Sequence, residues 1–322
     1  MARDGRTDKT VTFGGVEAGG TKWVLAVGSS PGDLDDVTTI PTTSPRETLE
    51  RVGQFFDRHS EVTAVGIGSF GPIDLREGSP RYGTITTTPK PGWSNTNIGG
   101  FLRSRLDVPV VVDTDVNAAA LAEGRWGAAR DVDSFCYITV GTGIGGGVVV
   151  HGEAVHGLLH PEIGHMRIPH DVARDPFGGA CPYHGDCFEG LASGEALRVR
   201  FGRDPGGVRD EEAWDLEAEY IALGLVNVVS TLSPQRIIVG GGVMNETTLL
   251  PRVRRRLADL AAGYFDAAEL SAPAIDSFVV TPALGDCSGV CGALELARRA
   301  VRPPRQRRKG GLGQLPRLRP PS

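Results

Sequence analysis

A two-lobed α/β protein is what this sequence predicts, and three observations predict it. The chain has 322 residues, too many for one small core and enough for two lobes of about 150 each. Apolar runs bounded by glycine alternate with helical segments, the pattern of strands and crossover helices in an α/β protein. One arrangement, strand–glycine turn–strand, occurs twice: in TFGGVEAGGTKWVLAVG near the start and in SFCYITVGTGIGGGVVVHG near the middle. This reads as an internal duplication, with each lobe opening on a glycine-hinged hairpin.

The elements follow in order. Residues 1–10 are polar and expected to be disordered. The first lobe covers 11–114. From Arg46 to His59, apolar Leu49, Val52, Phe55 and Phe56 fall at helical spacing. TAVGIGSFGPIDL reads as a strand ending in a Gly-Pro turn, and residues 76–100, rich in Gly, Pro, Thr and Asn, as a long loop. VPVVVD is a short apolar strand of the kind buried on both faces, running into a helix from Val116 to about Arg125. The second lobe, 115–285, continues after its hairpin with helices at about 190–201 and 212–232, a strand at RIIVGGG, a helix near 248–263 and a strand at SFVVTPA. A helix over 286–301 is expected to complete the first lobe. From Arg302 the tail carries seven Lys or Arg and no acid, is rich in Pro and Gly, and is expected to be disordered.

Composition narrows the function. Hydrophobic residues at 40% and charged residues at 23% suit a globular chain with a sizeable core. A formal net charge of −5 gives no reason to expect nucleic acid or an acidic membrane face as partner. No stretch approaches the roughly 20 apolar residues of a membrane helix, and the N-terminus has no signal-peptide core. Five cysteines, two of them beside histidines, point to a reducing, cytoplasmic setting and a metal site rather than a disulfide framework.

Three glycine runs are candidate nucleotide contacts. A glycine turn lets backbone N–H groups converge on an anion with no Cβ in the way. Gly19-Gly20-Thr21-Lys22 in one lobe and Gly141-Thr142-Gly143 in the other could grip the two ends of a triphosphate, with Thr21 and Lys22 adding a hydroxyl and a cation; each could also be a plain hairpin turn. Gly240-Gly241-Gly242 follows an apolar strand and would let an adenine or ribose lie on bare backbone; the alternative is a tight strand-to-helix crossing. Gly141, Gly143 and Gly146 spell a dinucleotide fingerprint, but it opens a β-branched run and not a helix, so a Rossmann site is rejected. With no cation cluster to neutralise a triphosphate, Mg²⁺ should accompany ATP.

VVVDTDVNAAALAE sets Asp113, Asp115 and Asn117 where a strand meets a helix. Phosphorylating an alcohol needs a carboxylate to accept the hydroxyl proton, and either aspartate could serve or could cap the helix. His165, Cys181, His184 and Cys187 form a Cys-x-x-His-x-x-Cys loop with a histidine one loop upstream, a ligand set for tetrahedral Zn²⁺. Four protein ligands leave no open position, so the expected role is structural. His160 and His170 are spare candidates, whereas Cys136, Cys287 and Cys291 read as core.

These motifs together resemble the ROK family of bacterial sugar kinases and repressors, over about Phe13 to Arg299. GGVEAGGTK is similar to its first phosphate motif, TDVNAAALAE to its catalytic-aspartate motif, VGTGIGGGVVV with HPEIGH to its signature and second phosphate motif, CPYHGDCFEG to its zinc loop, and IIVGGGVM to its adenosine motif. The resemblance implies an actin-like, ribonuclease H-like ATPase fold with a cleft between the lobes. It also implies Asp115 as the base, sugar contacts from Asp115, Glu162, His165 and Glu189, and a homodimer. Glu17, where most of the family has Asp, and the form of the zinc loop resemble the fructokinase subgroup, which implies ATP and a hexose, fructose first, as substrates. Glucokinase, mannokinase and N-acetylhexosamine kinase are the alternatives within the family. A repressor of the family carries a helix-turn-helix ahead of the first phosphate motif, and about ten residues precede Phe13 here. A non-catalytic sugar-binding protein would have no use for Asp115 and both glycine turns.

Overall fold

The computed structural model describes residues 11–302. The segments expected to be disordered, 1–10 and the tail beyond residue 302, lie outside the described residues.

The first hairpin pairs β1 (Phe13–Ala18) antiparallel with β2 (Lys22–Ser30), and β3 (Asp33–Pro41) extends it. After α1 (Pro45–Phe56) comes β4 (Val65–Ser69), parallel to β1. A small ribbon of β5 (Thr84–Ile85) and β6 (Thr96–Asn97) leads into α2 (Ile98–Arg105), and β7 (Val110–Thr114) closes the sheet parallel to β4. Next is α3 (Asp115–Trp126), then the second hairpin, β8 (Phe135–Val140) with β9 (Ile144–Val150), and the short edge strand β10 (Glu153–Ala154). Helices α4 (Phe188–Ala192), α5 (Gly194–Phe201) and α6 (Glu211–Leu232) precede β11 (Arg236–Gly240). The chain ends with α7 (Leu249–Ala261), α8 (Ile275–Phe278), β12 (Val279–Val280) and α9 (Ser288–Ala300).

The two sheets run β3-β2-β1-β4-β7 and β10-β9-β8-β11-β12. Both are three antiparallel strands followed by two parallel ones, so the duplication read from the two glycine turns extends to the whole sheet. The mixed α/β, actin-like architecture is as expected. In each sheet the parallel strands point their carboxyl ends the same way, the edge where ligands collect in α/β folds.

Helices α3 and α9 pack on each other, and α3 also touches strands of both sheets. Small residues let them approach: a Cβ at Gly292 would strike the Ala118 carbonyl oxygen. Buried Glu123 fastens this junction. Its carboxylate accepts from Ala128 N (2.6 Å), Ala283 N (3.1 Å), Leu284 N (3.0 Å) and the Ser288 hydroxyl (2.8 Å), joining the end of α3 to the start of α9. Among the described residues no helix is long and apolar enough to cross a membrane.

Several elements differ from expectation. The long loop at 76–100 contains the β5–β6 ribbon and the first turn of α2, which starts on Asn97, whose side chain accepts from Gly100 N at 2.6 Å. The strand expected at SFVVTPA is two residues long, because Ile275–Phe278 takes a helical turn first. The helix at 190–201 is two helices, broken where extended Ser193 ends α4 and caps α5. Cys136 and Cys291 are buried as expected, but Cys287, just ahead of α9, is exposed.

Candidate active site

Local backbone geometry separates the two aspartates. Thr114 is the N-cap of α3, its side chain accepting from Asn117 N at 3.1 Å. Asp113, before the cap, turns inward and is buried. One of its oxygens accepts from Thr114 N (2.7 Å) and Asn117 Nδ2 (2.8 Å), and His156 Nε2 lies 3.1 Å away. Asp115, the first residue of α3, stays half-buried, its carboxylate accepting from Val116 N (2.9 Å) and from its own backbone N–H. Burial pushes the Asp115 carboxyl up to about 7, against its backbone hydrogen bonds, with the Glu162 charge adding to the rise. A carboxylate in that range is suited to take a proton near neutral pH.

Two further carboxyls share this state. Burial first, then the Glu189 charge, lifts Glu162 to about 7. Burial first, then Asp115, lifts Glu17 to about 7, with Lys22 opposing. Glu17 lies at the end of β1 over the first turn of α9, where it accepts from Val290 N–H; a Cβ at Gly289 would overlap its carboxyl group. Glu189 sits under the second glycine turn, its Oε2 accepting from Ile144 N at 2.9 Å. Glu17, Asp115, Glu162 and Glu189 therefore form a chain of neighbouring acids along the carboxyl edges of both sheets.

The three glycine runs lie at the same edges. Gly19–Lys22 joins β1 to β2, closed by Gly19 N–H donating to Lys22 O (3.1 Å) and braced by Thr42. Gly141-Thr142-Gly143 joins β8 to β9 and abuts the N-terminus of α5, where Gly194 N–H donates to Gly141 O at 2.7 Å. The fingerprint-like glycines thus open strand β9, not a helix. Gly240, Gly241 and Gly242 end β11. Gly241 has φ 97° and presses on the Val140 backbone, a tight crossing, while a Cβ on Gly20, Gly141 or Gly242 would meet nothing within 4 Å. Those open positions leave backbone accessible to a ligand.

His165, Cys181, His184 and Cys187 converge, with one ligand atom from each lying within 4.8 Å of all the others. His165 Nδ1 is 3.2 Å from His184 Nδ1 and 3.7 Å from both Cys181 Sγ and Cys187 Sγ. Zinc at its usual distances would set tetrahedral edges of roughly 3.3 Å between two nitrogens and roughly 3.6 Å between nitrogen and sulfur, so the donor set fits the ion. Gly185 (φ 63°) turns the loop, and Arg167 donates to His184 O at 2.8 Å and to Asp186 at 2.7 Å. Neither spare histidine joins the cluster: His170 lies beside Asp186 (3.3 Å) and the Asp175 carbonyl, and His160 beside Glu162 and Ile73. The ligand loop and the acids are continuous, since Glu162 is three residues before His165 and Glu189 two residues after Cys187.

Sequence reasoning missed Glu17 as a cleft carboxyl, His156 as the partner of Asp113, and Glu123. Glu17 stood in a phosphate-like motif, which was a usable signal. His156 and Glu123 acquire their partners only through tertiary packing.

Comparison with known proteins points the same way as the geometry. The chain matches the ROK family over residues 13–300. It is 43% identical over 301 residues to the fructokinase of Zymomonas mobilis, covering 91% of this chain and 98% of that one. It is 42% identical over 291 residues to the fructokinase of Pediococcus pentosaceus, covering 90% and 99%. Among solved structures, a ROK family glucokinase from Streptomyces griseus in complex with glucose and AMPPNP aligns with a TM-score of 0.69 at 27% identity, covering 89% of this chain and 99% of that chain.

Proposed function

The chain belongs to the ROK family, and from that premise we propose that it is an ATP-dependent fructokinase, converting D-fructose and ATP to D-fructose 6-phosphate and ADP. The observation that carries the chemistry is Asp115, a half-buried carboxyl raised to about 7 among the glycine turns of both halves. Asp115 takes the proton of the sugar hydroxyl as that oxygen bonds to the γ-phosphorus and the bond to the β-phosphate oxygen breaks, releasing ADP. Asp115, Glu162, His165 and Glu189 hold the sugar hydroxyls. Gly19, Gly20, Thr21 and Lys22 face one end of the triphosphate and Gly141, Thr142 and Gly143 the other, while Gly240, Gly241 and Gly242 face the adenosine. Mg²⁺ bound with ATP would supply neutralisation of the phosphate charge, and Glu17, beside the first turn, would be the carboxylate to hold it.

His165, Cys181, His184 and Cys187 hold a structural Zn²⁺; with four protein donors it orders the loop between Glu162 and Glu189. Residues 11–114 with the helix at 286–301 form one lobe and 115–285 the other, and the working unit is a cytoplasmic homodimer. A coupled ADP-release assay over fructose, mannose, glucose and N-acetylhexosamines tests the activity. Fructose should give the highest kcat/KM. Preference for glucose by a wide margin would reassign the sugar, and no ADP release with any hexose would remove the kinase reading.

A further inference from the structure

The cleft holds one buried histidine that this chemistry leaves unused. His160 is 7% exposed and lies where the two halves meet. On one side its Nε2 is 3.4 Å from the backbone N–H of Ile73, just past the Gly71–Pro72 turn that follows β4. A Cβ on Gly71 would sit 3.6 Å from the His160 ring, so the ring rests against that turn. On the other side its Nδ1 is 3.4 Å from Glu162 Oε1. The Ile73 amide can only donate, so Nε2 carries the lone pair and the ring proton sits on Nδ1, on the side of the Pro161 backbone and of Glu162. Burial holds the ring below the ordinary histidine range, in keeping with this neutral form. Ile73 is itself bridged to Ile85 of the β5–β6 ribbon, so the far end of the contact is anchored in the first half.

We infer that His160 is a positioning residue for the sugar: it ties the segment carrying Glu162 and His165 to the Gly71–Ile73 turn across the cleft and fixes the direction of the Glu162 carboxylate. Sugar binding and the approach of the two halves are then one event. The Ile73 bond lies at the long end of the hydrogen-bond range and the Glu162 contact is a 3.4 Å approach that is not yet an aligned hydrogen bond, as expected for contacts that tighten only in the complex. The inference rests on the kinase reading and on Glu162 as a sugar contact.

The test uses three variants of the full chain. His160→Phe keeps the ring volume and removes both bonds, His160→Asn keeps a donor near the Nδ1 position, and His160→Gln keeps an acceptor near the Nε2 position. His160→Phe should raise the fructose KM about tenfold while the ATP KM stays within about twofold. His160→Asn should recover part of that loss through Glu162, and His160→Gln part of it through Ile73. A merely structural histidine would lower the melting temperature without splitting the two KM values and without rescue. Unchanged fructose KM in His160→Phe, or in His160→Ala should the Phe variant fail to fold, overturns the inference while wild-type turnover keeps the kinase reading. Absence of wild-type turnover on every hexose overturns both.

Discussion

At Asp113 and Asp115 the start of α3 decides which carboxylate is available, because Thr114 takes the capping position between them. Asp115→Ala should lower kcat by roughly 10²- to 10⁴-fold with little change in unfolding midpoint. Asp113→Ala should instead destabilise by roughly 1–3 kcal/mol, since it strands the Thr114 and Asn117 donors in a buried place. The reverse pattern, an active Asp115→Ala and a stable but inactive Asp113→Ala, would move the base to Asp113. The same environment fixes a pH dependence. With Asp115 raised to about 7, kcat/KM should climb with pH and level off above neutrality, the apparent midpoint belonging to the coupled set of Glu17, Asp115 and Glu162. Stability takes the opposite sign. The folded chain keeps a proton on Asp115 that the unfolded chain releases near the ordinary carboxylate value of about 4, so this contribution is lost as pH rises from there through about 7. Urea midpoints of wild type and Asp115→Asn should therefore diverge in favour of the variant between pH 5 and pH 8. A constant difference would show that Asp115 titrates at its ordinary value.

Among the elements, the ligand loop makes the sharpest prediction. Cys181, His184 and Cys187 lie within one short turn that has little core of its own, so a bound metal should order it. Cys187 is also the N-cap of α4, and Glu189 is in the first turn of that helix. Elemental analysis of the wild-type protein should find one Zn²⁺ per chain, and Cys187→Ser should abolish it, lower the melting temperature and raise the fructose KM more than the ATP KM. Zinc-free wild-type protein, purified without chelator, would refute the site; unchanged sugar affinity in a zinc-free variant would detach it from the sugar. This loop was legible in the sequence because ligand spacing is local, as were both hairpins, whose turns need glycine, and the buried strands of continuous Val and Ile. What escaped was set by tertiary contacts. Edge strand β3 mixes acidic, polar and apolar residues on its open face, Val37 among them, and α2 carries two glycines, so neither shows a clean period. The turn at Ile275–Phe278 is apolar enough to pass for a strand, and its helical form depends on the packing of α7 and α8. Of the site, the residues within motifs could be named, whereas the inward turn of Asp113 toward His156 required the fold.

For the molecule as a whole, the duplicated sheets put one phosphate-sized glycine turn on each half, and the third run lies beside the second. A nucleotide that touches all three must span the junction of the halves, while the proposed sugar acids belong to α3 (Asp115), to the segment between β10 and α4 (Glu162) and to α4 itself (Glu189). If the proposed contacts are right, neither ligand alone meets every group, and the halves are expected to approach in the bound state around α3 and α9, which pack on each other at the junction. Their backbone contact at Gly292 and the four donors on Glu123 keep that junction stiff, which favours rotation of intact halves over internal rearrangement. Closure would also expel water from Asp115 and the γ-phosphate, protecting ATP from hydrolysis. Small-angle scattering should then show a smaller radius of gyration with fructose, Mg²⁺ and AMPPNP present together than in the free protein, and a lesser change with either ligand alone. ATP hydrolysis without sugar should be slow relative to sugar phosphorylation. An unchanged radius with all ligands bound at saturation, verified by calorimetry on the same sample, would mean that the described arrangement is already closed and that the glycine turns grip the nucleotide without moving.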